Sequence, residues 1–312
     1  RLKEKINELN KRLWEKVQKK ETKEALKKLE KECLPKLEEY EQQEKILAGR
    51  SSYARTDKDA SCMRMKEDRG SAKAWPKPGY NVQIGTEGQY IVGFSVHQSA
   101  GDTTCLIPHL EKMRKRLRQL PKRIVADAGY GSEENYAYLE QHDAENFLKY
   151  NTFYQDTHPY RNPEVLHAHQ FRAEHFAHDP ETDTFVCPAG KRLHYQYTTR
   201  YTSDNSYEST RRSYECFDCA DCPLRSQCTK AKGNRQIRIS FRLLEFRRQA
   251  RANLTTEEGQ RLRAERSTEV ETVFGHLKHN MGFRRFHLRG LEKVKTEWGL
   301  VSIAHNLRKM AA

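Results

Sequence analysis

Four groups of residues in this sequence have types and spacings suited to chemistry. The first is Val125-Ala-Asp-Ala-Gly-Tyr-Gly-Ser132, in which Asp127 stands just past a short apolar strand and before two glycines that permit a sharp turn. Active sites collect at strand ends in open sheets, and Asp also favours turns and helix caps, so both roles are open to Asp127. The second is Arg266-Ser-Thr-Glu-Val-Glu-Thr-Val-Phe-Gly-His-Leu-Lys278. At helical spacing Val270, Val273, Phe274 and Leu277 form a buried stripe, with Glu271 and Lys278 along one border and Glu269 and His276 along the other. A carboxylate with a lysine two turns on could hold a metal at the first residue and a phosphate at the second. An ordinary amphipathic helix with charged flanks shows the same pattern.

The third group is Cys187-Pro-Ala-Gly followed by Cys216-x2-Cys219-x2-Cys222-x5-Cys228, five of the eight cysteines within 42 residues. Thiolates two residues apart on a tight turn can reach one tetrahedral Zn²⁺, and a distant cysteine closes the site across a loop. Four ligands are needed, and Cys187, Cys219, Cys222 and Cys228 are assigned, with Cys216 as substitute; free buried thiols are the competing reading. The fourth group, residues 278–290, interleaves Arg284, Arg285 and Arg289 with Phe283 and Phe286. The arginines are assigned to phosphate contacts and the phenylalanines to the core.

The elements that must position these groups follow from periodicity. Residues 1–48 carry apolar residues at helical spacing (Leu2, Ile6, Leu9, Leu13 and Val17, then Leu26, Leu29, Cys33, Leu37 and Tyr40), which predicts a helical hairpin or coiled-coil pair interrupted at Gln18–Thr22 and at Pro35. Residues 49–78 read as connecting loop. Alternation at Tyr80, Val82 and Ile84, a break at Thr86–Gln89 and the run Tyr90–Val96 predict a β-hairpin. A helix through Leu106–Leu117, a strand Arg123–Ala126, a helix from Ser132 to about Gln141 and a strand Asn146–Tyr150 follow, so the expected fold is α/β with a mixed sheet. Residues 152–235 lose any long apolar period and read as an inserted small domain. Helices return over Leu243–Ala252, Glu257–Leu277 and Leu291–Lys309.

Composition narrows the function classes. Lys+Arg 57 against Asp+Glu 43 leaves a net charge of +14, which suits a polyanionic partner such as nucleic acid. No apolar run approaches the ~18 residues of a membrane span, and the N-terminus lacks a signal-peptide pattern, so the expectation is an intracellular fragment. Clustered cysteines in a basic chain favour zinc over a secreted disulfide framework.

From Thr56-Asp-Lys-Asp-Ala60 to Lys309 the chain resembles bacterial insertion-sequence transposases of the DDE type, in the branch with a cysteine-rich insertion. The resemblance is carried by Gly79-Tyr-Asn-Val-Gln83, Val125–Ser132, Cys219-x2-Cys222-Pro-Leu, Arg266–Lys278, Leu288-Arg-Gly-Leu291 and His305-Asn-Leu-Arg-Lys309. It implies an RNase H-like catalytic core with Asp127 as the second acidic residue, Glu271 as the last, and Arg266 and Lys278 as the basic residues bracketing that Glu. It divides the chain into a helical segment 1–48, core 49–151, cysteine-rich zinc-binding insertion 152–235 and helical core 236–312. It also implies Mg²⁺ or Mn²⁺ at the carboxylates beside a separate structural Zn²⁺, double-stranded DNA (the element's terminal inverted repeats and target) as partner, a homodimer, and a cytoplasmic, nucleoid-associated location. The family's first carboxylate sits in an Asp-Gly-Thr motif that this chain lacks. That carboxylate is therefore expected upstream of Arg1, with Asp57, Asp59 and Asp102 as in-chain candidates read as structural. The competing function is a non-catalytic, zinc-containing DNA-binding remnant of a transposase.

Overall fold

Apolar residues spaced among lysines and glutamates build the first helices. In the computed structural model, which describes residues 2–16, 24, 27–65, 75–158 and 169–311, α1 spans Leu2–Lys16 and α2 spans Leu34–Leu47. The polar stretch 18–22 expected between them lies outside the described residues. Pro35 does not interrupt the second helix. It sits in the first turn of α2, where a missing N–H costs least, directly after a wide π turn at Leu29–Cys33. Ala48 ends the helix in the left-handed region, and the Arg50 guanidinium donates to the carbonyls of Leu47 (3.0 Å), Lys58 (2.9 Å) and Asp59 (2.8 Å). One cation thus satisfies an orphan helical carbonyl and ties the helix end to the following loop.

The chain forms two compact units, Arg1–Gly79 with Arg289–Leu291 and Tyr80–Leu288 with Glu292–Ala312. In the first, part of the expected loop is a ribbon: β1 (Ser61–Met63) pairs antiparallel with β2 (Lys77–Gly79), placing Pro78 opposite Cys62. A two-stranded ribbon is all edge, so a strand proline is tolerated. Residues 66–74 of that segment lie outside the described residues. Asp57 and Asp59 have structural duties here, their carboxylates accepting from the backbone N–H of Gly290 (3.1 Å) and Leu291 (2.8 Å).

In the second unit the predicted hairpin is β3 (Asn81–Glu87) and β4 (Tyr90–His97), turned through Gly88 and Gln89, both with positive φ. Two such residues make the turn whose twist matches the strands. α3 (Leu106–Leu117), β5 (Arg123–Ala126), α4 (Glu133–Gln141) and β6 (Glu145–Leu148) follow, with β5 and β6 parallel. The expected single mixed sheet is not continuous: β3–β4 and β5–β6 are separate two-stranded ladders. One core nevertheless gathers Leu106, Leu110, Tyr136, Leu139, Phe147 and Leu148 with residues of the later helix α7 (Phe241–Thr255), among them Phe246 and Leu254.

Four strands of the segment read as an insertion, β7 (Ala177–Asp179), β8 (Thr184–Val186), β9 (Arg192–Thr202) and β10 (Glu208–Glu215), join β11 (Gln236–Ile239), just past its expected end and after the short helix α6 (Arg225–Cys228), in a five-stranded antiparallel sheet of order β11-β10-β9-β8-β7. It has its own small core of Phe176, Phe185, Leu193, Tyr214 and Ile237, together with Cys216 and Cys219. The strands are short or largely solvated, which is why no long apolar period marks them. Ser240 then caps α7 by accepting from Leu243 N–H (3.2 Å), and α8 covers Glu257–Arg266. The last helix, α10 (Leu291–Ala311), buries Val294, Trp298, Ser302 and His305.

One buried histidine, His109, is expected to make the stability of this unit acid-sensitive. His109 on α3 is buried, with Nδ1 2.8 Å from the Ser95 hydroxyl, which also lies 2.6 Å from His97 Nε2. Burial, helped by His97 and Lys112, pushes the His109 pKa down to about 4. A folded pKa below the unfolded value of ~6.5 gives stability that is fully present above pH ~6.5 and is lost as pH falls towards 4. Denaturant titrations should show up to about 3 kcal/mol of such loss over that interval. His109→Gln should flatten the pH dependence there.

Candidate active site

Strand β5 ends at the buried Ala126, and the next residue, Asp127, remains extended before a 3₁₀ turn, Ala128–Tyr130. Its glycines serve space rather than positive φ: a Cβ on Gly131 would lie 2.4 Å from the Lys149 carbonyl oxygen and 2.8 Å from Tyr150 Cα. The loop can therefore lie flat against the chain leaving β6 only with glycine there. Ser132 caps α4 by accepting from Asn135 N–H (3.2 Å). The fully buried Asn135 side chain then donates to the carbonyls of Tyr130 (2.8 Å) and Thr103 (2.9 Å). With the Thr103 hydroxyl donating to Gly129 O (2.9 Å), the Asp127 loop is clipped to the turn that carries Asp102.

Glu271 arrives from the other end of the sequence. The expected continuous α-helix is here broken by wide turns: a π turn at Ser267–Glu271, α9 at Thr272–Gly275 and a second π turn at His276–Asn280. Val273 and Leu277 are buried as the stripe requires, and Val270 and Phe274 are half-buried. Each wide turn adds a residue, so the 3.6-residue arithmetic that aligned Glu271 with Lys278 drifts; Lys278 is half-buried in the second wide turn. Glu269, on the opposite border, accepts from Gln89 N–H at 2.7 Å, and His276 Nδ1 lies 3.0 Å from His305 Nδ1. His305 Nε2 reaches Gln89 O (3.0 Å), while Asn306 accepts from Ile91 N–H (2.9 Å) and donates to Ile91 O (3.0 Å). The late helices are thus bonded to the backbone at the hairpin turn.

The Arg266 guanidinium joins the two predicted carboxylates. It lies 3.4 Å from Asp127 Oδ2 and 3.8 Å from Glu271 Oε1, with its side chain only 15% exposed. Lys149, also buried, is 3.4 Å from Asp127 Oδ1. Burial opposes ionisation of Asp127, but Arg266, the Ala128 amide and Lys149 outweigh it and hold the carboxyl below its usual value. Asp102 is the third carboxylate nearby: its Oδ2 would lie 3.3 Å from a Cβ on Gly129, and its Oδ1 accepts from Asn81 (2.9 Å) and Gln83 (3.2 Å). Tyr130 in turn hydrogen-bonds Gln83. Asn81, Gln83, Asn135 and Lys149 are neighbours of these carboxylates that residue type and spacing alone do not mark. The Gly79–Gln83 motif held a signal for the first two, whereas Asn135 and Lys149 gain meaning only from burial.

The other predicted residues are elsewhere. Arg284, Arg285 and Arg289 are exposed, and Arg289 donates to Thr56 O at 3.3 Å. Phe283 and Phe286 pack on each other (5.6 Å between ring centres) and on Trp298 (5.9 and 6.0 Å). Cys187, Cys216, Cys219, Cys222 and Cys228 all line one pocket. Arg235 N–H donates to Cys219 Sγ at 3.4 Å, and burial raises the Cys216 thiol to about 11 and the Cys228 thiol above its usual value.

Replacing Arg266 by Gln should raise the Asp127 pKa, because the largest opposing charge to its desolvation is removed. Carboxyl ¹³C titration checks this; an unmoved Asp127 resonance would show that Lys149 and the Ala128 amide suffice.

Among known proteins, no curated protein and no solved structure matches the chain. Residues 186–311 match a family model described as the transposase DDE domain, a span that holds Arg266 and Glu271 and begins after Asp127. Over those residues the chain is similar to the transposase DDE domain, and the match supports an insertion-sequence DDE transposase.

Proposed function

We propose that the chain works in DNA transposition of an insertion sequence, by metal-dependent cleavage and joining of phosphodiester bonds at the element's ends. The observation that carries this reading is the Arg266 guanidinium in contact with both Asp127 and Glu271, carboxylates 144 residues apart in sequence. The same proposal includes an RNase H-like core and the division at 1–48, 49–151, 152–235 and 236–312. The donor set fits a hard divalent cation, since Asp127 and Glu271 offer oxygen ligands, with half and about two-thirds of their side chains open to solvent (51% and 71%). Bound there, Mg²⁺ or Mn²⁺ would stabilise the charge on the attacking and leaving oxygens. Arg266 offsets the repulsion between the carboxylates, Lys149 fixes Asp127, and Arg284, Arg285, Arg289 and Lys278 supply positive charge for the DNA backbone.

Two-metal chemistry needs more than two carboxylates, and only Asp127 and Glu271 match the family pattern. Asp102 is a second reading for the missing one, favoured by its place beside Gly129. The 312-residue chain should bind DNA bearing the element's ends in preference to unrelated duplex, with affinity falling steeply with salt, and should not cut it with Mg²⁺ or Mn²⁺. Equal binding to unrelated duplex counts against the function. Strand cleavage that disappears in Asp102→Ala assigns Asp102 as the first carboxylate.

The proposal also includes a structural Zn²⁺ held by Cys187, Cys219, Cys222 and Cys228, with Cys216 as substitute. It is supported by the shared pocket and the backbone N–H bond to Cys219. Protein purified without added zinc should hold about one thiolate-bound equivalent. Cys222→Ser with Cys228→Ser should lose it and loosen the β7–β11 sheet, measured by metal content and hydrogen exchange. Freely titratable thiols with no bound zinc would overturn the assignment.

A further inference from the structure

A second donor cluster lies apart from both the carboxylates and the cysteines. Asp156 sits on α5 (Phe153–Thr157), the short helix after β6, and His175 lies in the 3₁₀ turn that leads into Phe176 and β7. His169 Nε2 is 3.1 Å and His175 Nε2 3.5 Å from the same carboxylate oxygen, Asp156 Oδ1. The two imidazole centroids are 3.9 Å apart. Among the described residues, this is the one group of three or more His, Cys, Asp or Glu whose donor atoms all lie within 4.8 Å of one another.

The surroundings hold these donors in place. Thr152 donates to the other oxygen of Asp156, Oδ2, at 3.0 Å. A partner of this kind orients a carboxylate and leaves its remaining oxygen for a ligand. The Arg251 guanidinium fixes the Asp156 carbonyl at 2.9 Å. Asp156 and His169 are nearly enclosed (side chains 10% and 13% exposed), while His175, at 28%, leaves an approach.

We propose that Asp156, His169 and His175 form a site for a transition-metal cation, Zn²⁺ in the first place, distinct from the cysteine pocket and from Asp127 and Glu271. Two imidazoles and one carboxylate suit Zn²⁺, whereas Mg²⁺ favours oxygen donors and water. Three protein ligands leave a fourth tetrahedral position for water. The ion would join α5, whose Phe153 belongs to the main core, to the turn preceding Phe176 of the sheet core. Its role is a cross-link at the point where the chain enters the five-stranded sheet.

The test uses the full chain after chelator stripping. Titration with Co²⁺ should reveal an equivalent without a thiolate-to-cobalt charge-transfer band, beside any thiolate-bound equivalent. With Zn²⁺, the ring ¹⁵N resonances of His169 and His175 should shift together. His175→Gln, at the more exposed ligand, and the double variant H169Q/H175Q should lose that equivalent's affinity by more than the ~10–100-fold typical of outer partners. The thiolate signal should not change. Two results overturn the site: histidine resonances that do not move in the unsubstituted chain at millimolar Zn²⁺, or unchanged stoichiometry and affinity in His175→Gln. The first reading needs no variant to fold, and neither depends on the zinc assigned to the cysteines.

Discussion

A nearly buried guanidinium shared by two carboxylates is costly to build and costly to break. Arg266 gives up most of its hydration, and only the paired charges of Asp127 and Glu271, together with the planar fork that can face both, make that burial tolerable. The end of β5 and the wide turn at Ser267–Glu271 are therefore fixed relative to each other by charge. Lys149 adds a second cation on Asp127, so the carboxylate is gripped from both of its oxygens.

Positioning of the late helices rests on backbone hydrogen bonding as much as on apolar burial. Gln89 and Ile91 sit where the hairpin turn exposes backbone groups, and Glu269, His305 and Asn306 answer them. Unpaired backbone groups at a buried edge carry a penalty, so these three polar side chains stand in for a strand partner. His305 and Asn306 belong to the motif that carried part of the family resemblance, and their contacts give it a structural reason. Wide turns on both sides of α9 fit the same constraint, since an unbroken helix would have to satisfy the Glu269 and His276 contacts at regular spacing.

The segment between β6 and α7 is stabilised differently. Its core is small, its longest strand is largely solvent-exposed, and polar residues dominate it. Two of its core members are cysteines, and the five clustered cysteines converge on one pocket although Cys187 is 29 residues from Cys216. Antiparallel pairing of β8 with β9 and β9 with β10 closes that distance.

The sequence alone determined the elements: the apolar alternation of the hairpin, the helical spacing of α3 and the strand and cap around Asp127 all reappear, because each depends on local periodicity and local capping. It also marked Asp127, Glu271, the cysteine cluster and the phenylalanines now packed on Trp298, through residue type and spacing. Only the tertiary structure decided that Arg266 lies between the carboxylates, that Gly131 is required for close approach, that Asp57 and Asp59 serve backbone N–H groups, and that β3–β4 and β5–β6 remain separate ladders. Pro35 and the helix around Glu271 show the same limit, since π turns absorb what the 3.6-residue rule forbids. Asp156, His169 and His175 left no periodic signal at all. Their meeting, like the burial of Asn135 and Lys149, depends on which segments the two cores bring together, and burial and long-range charge have no period in a sequence.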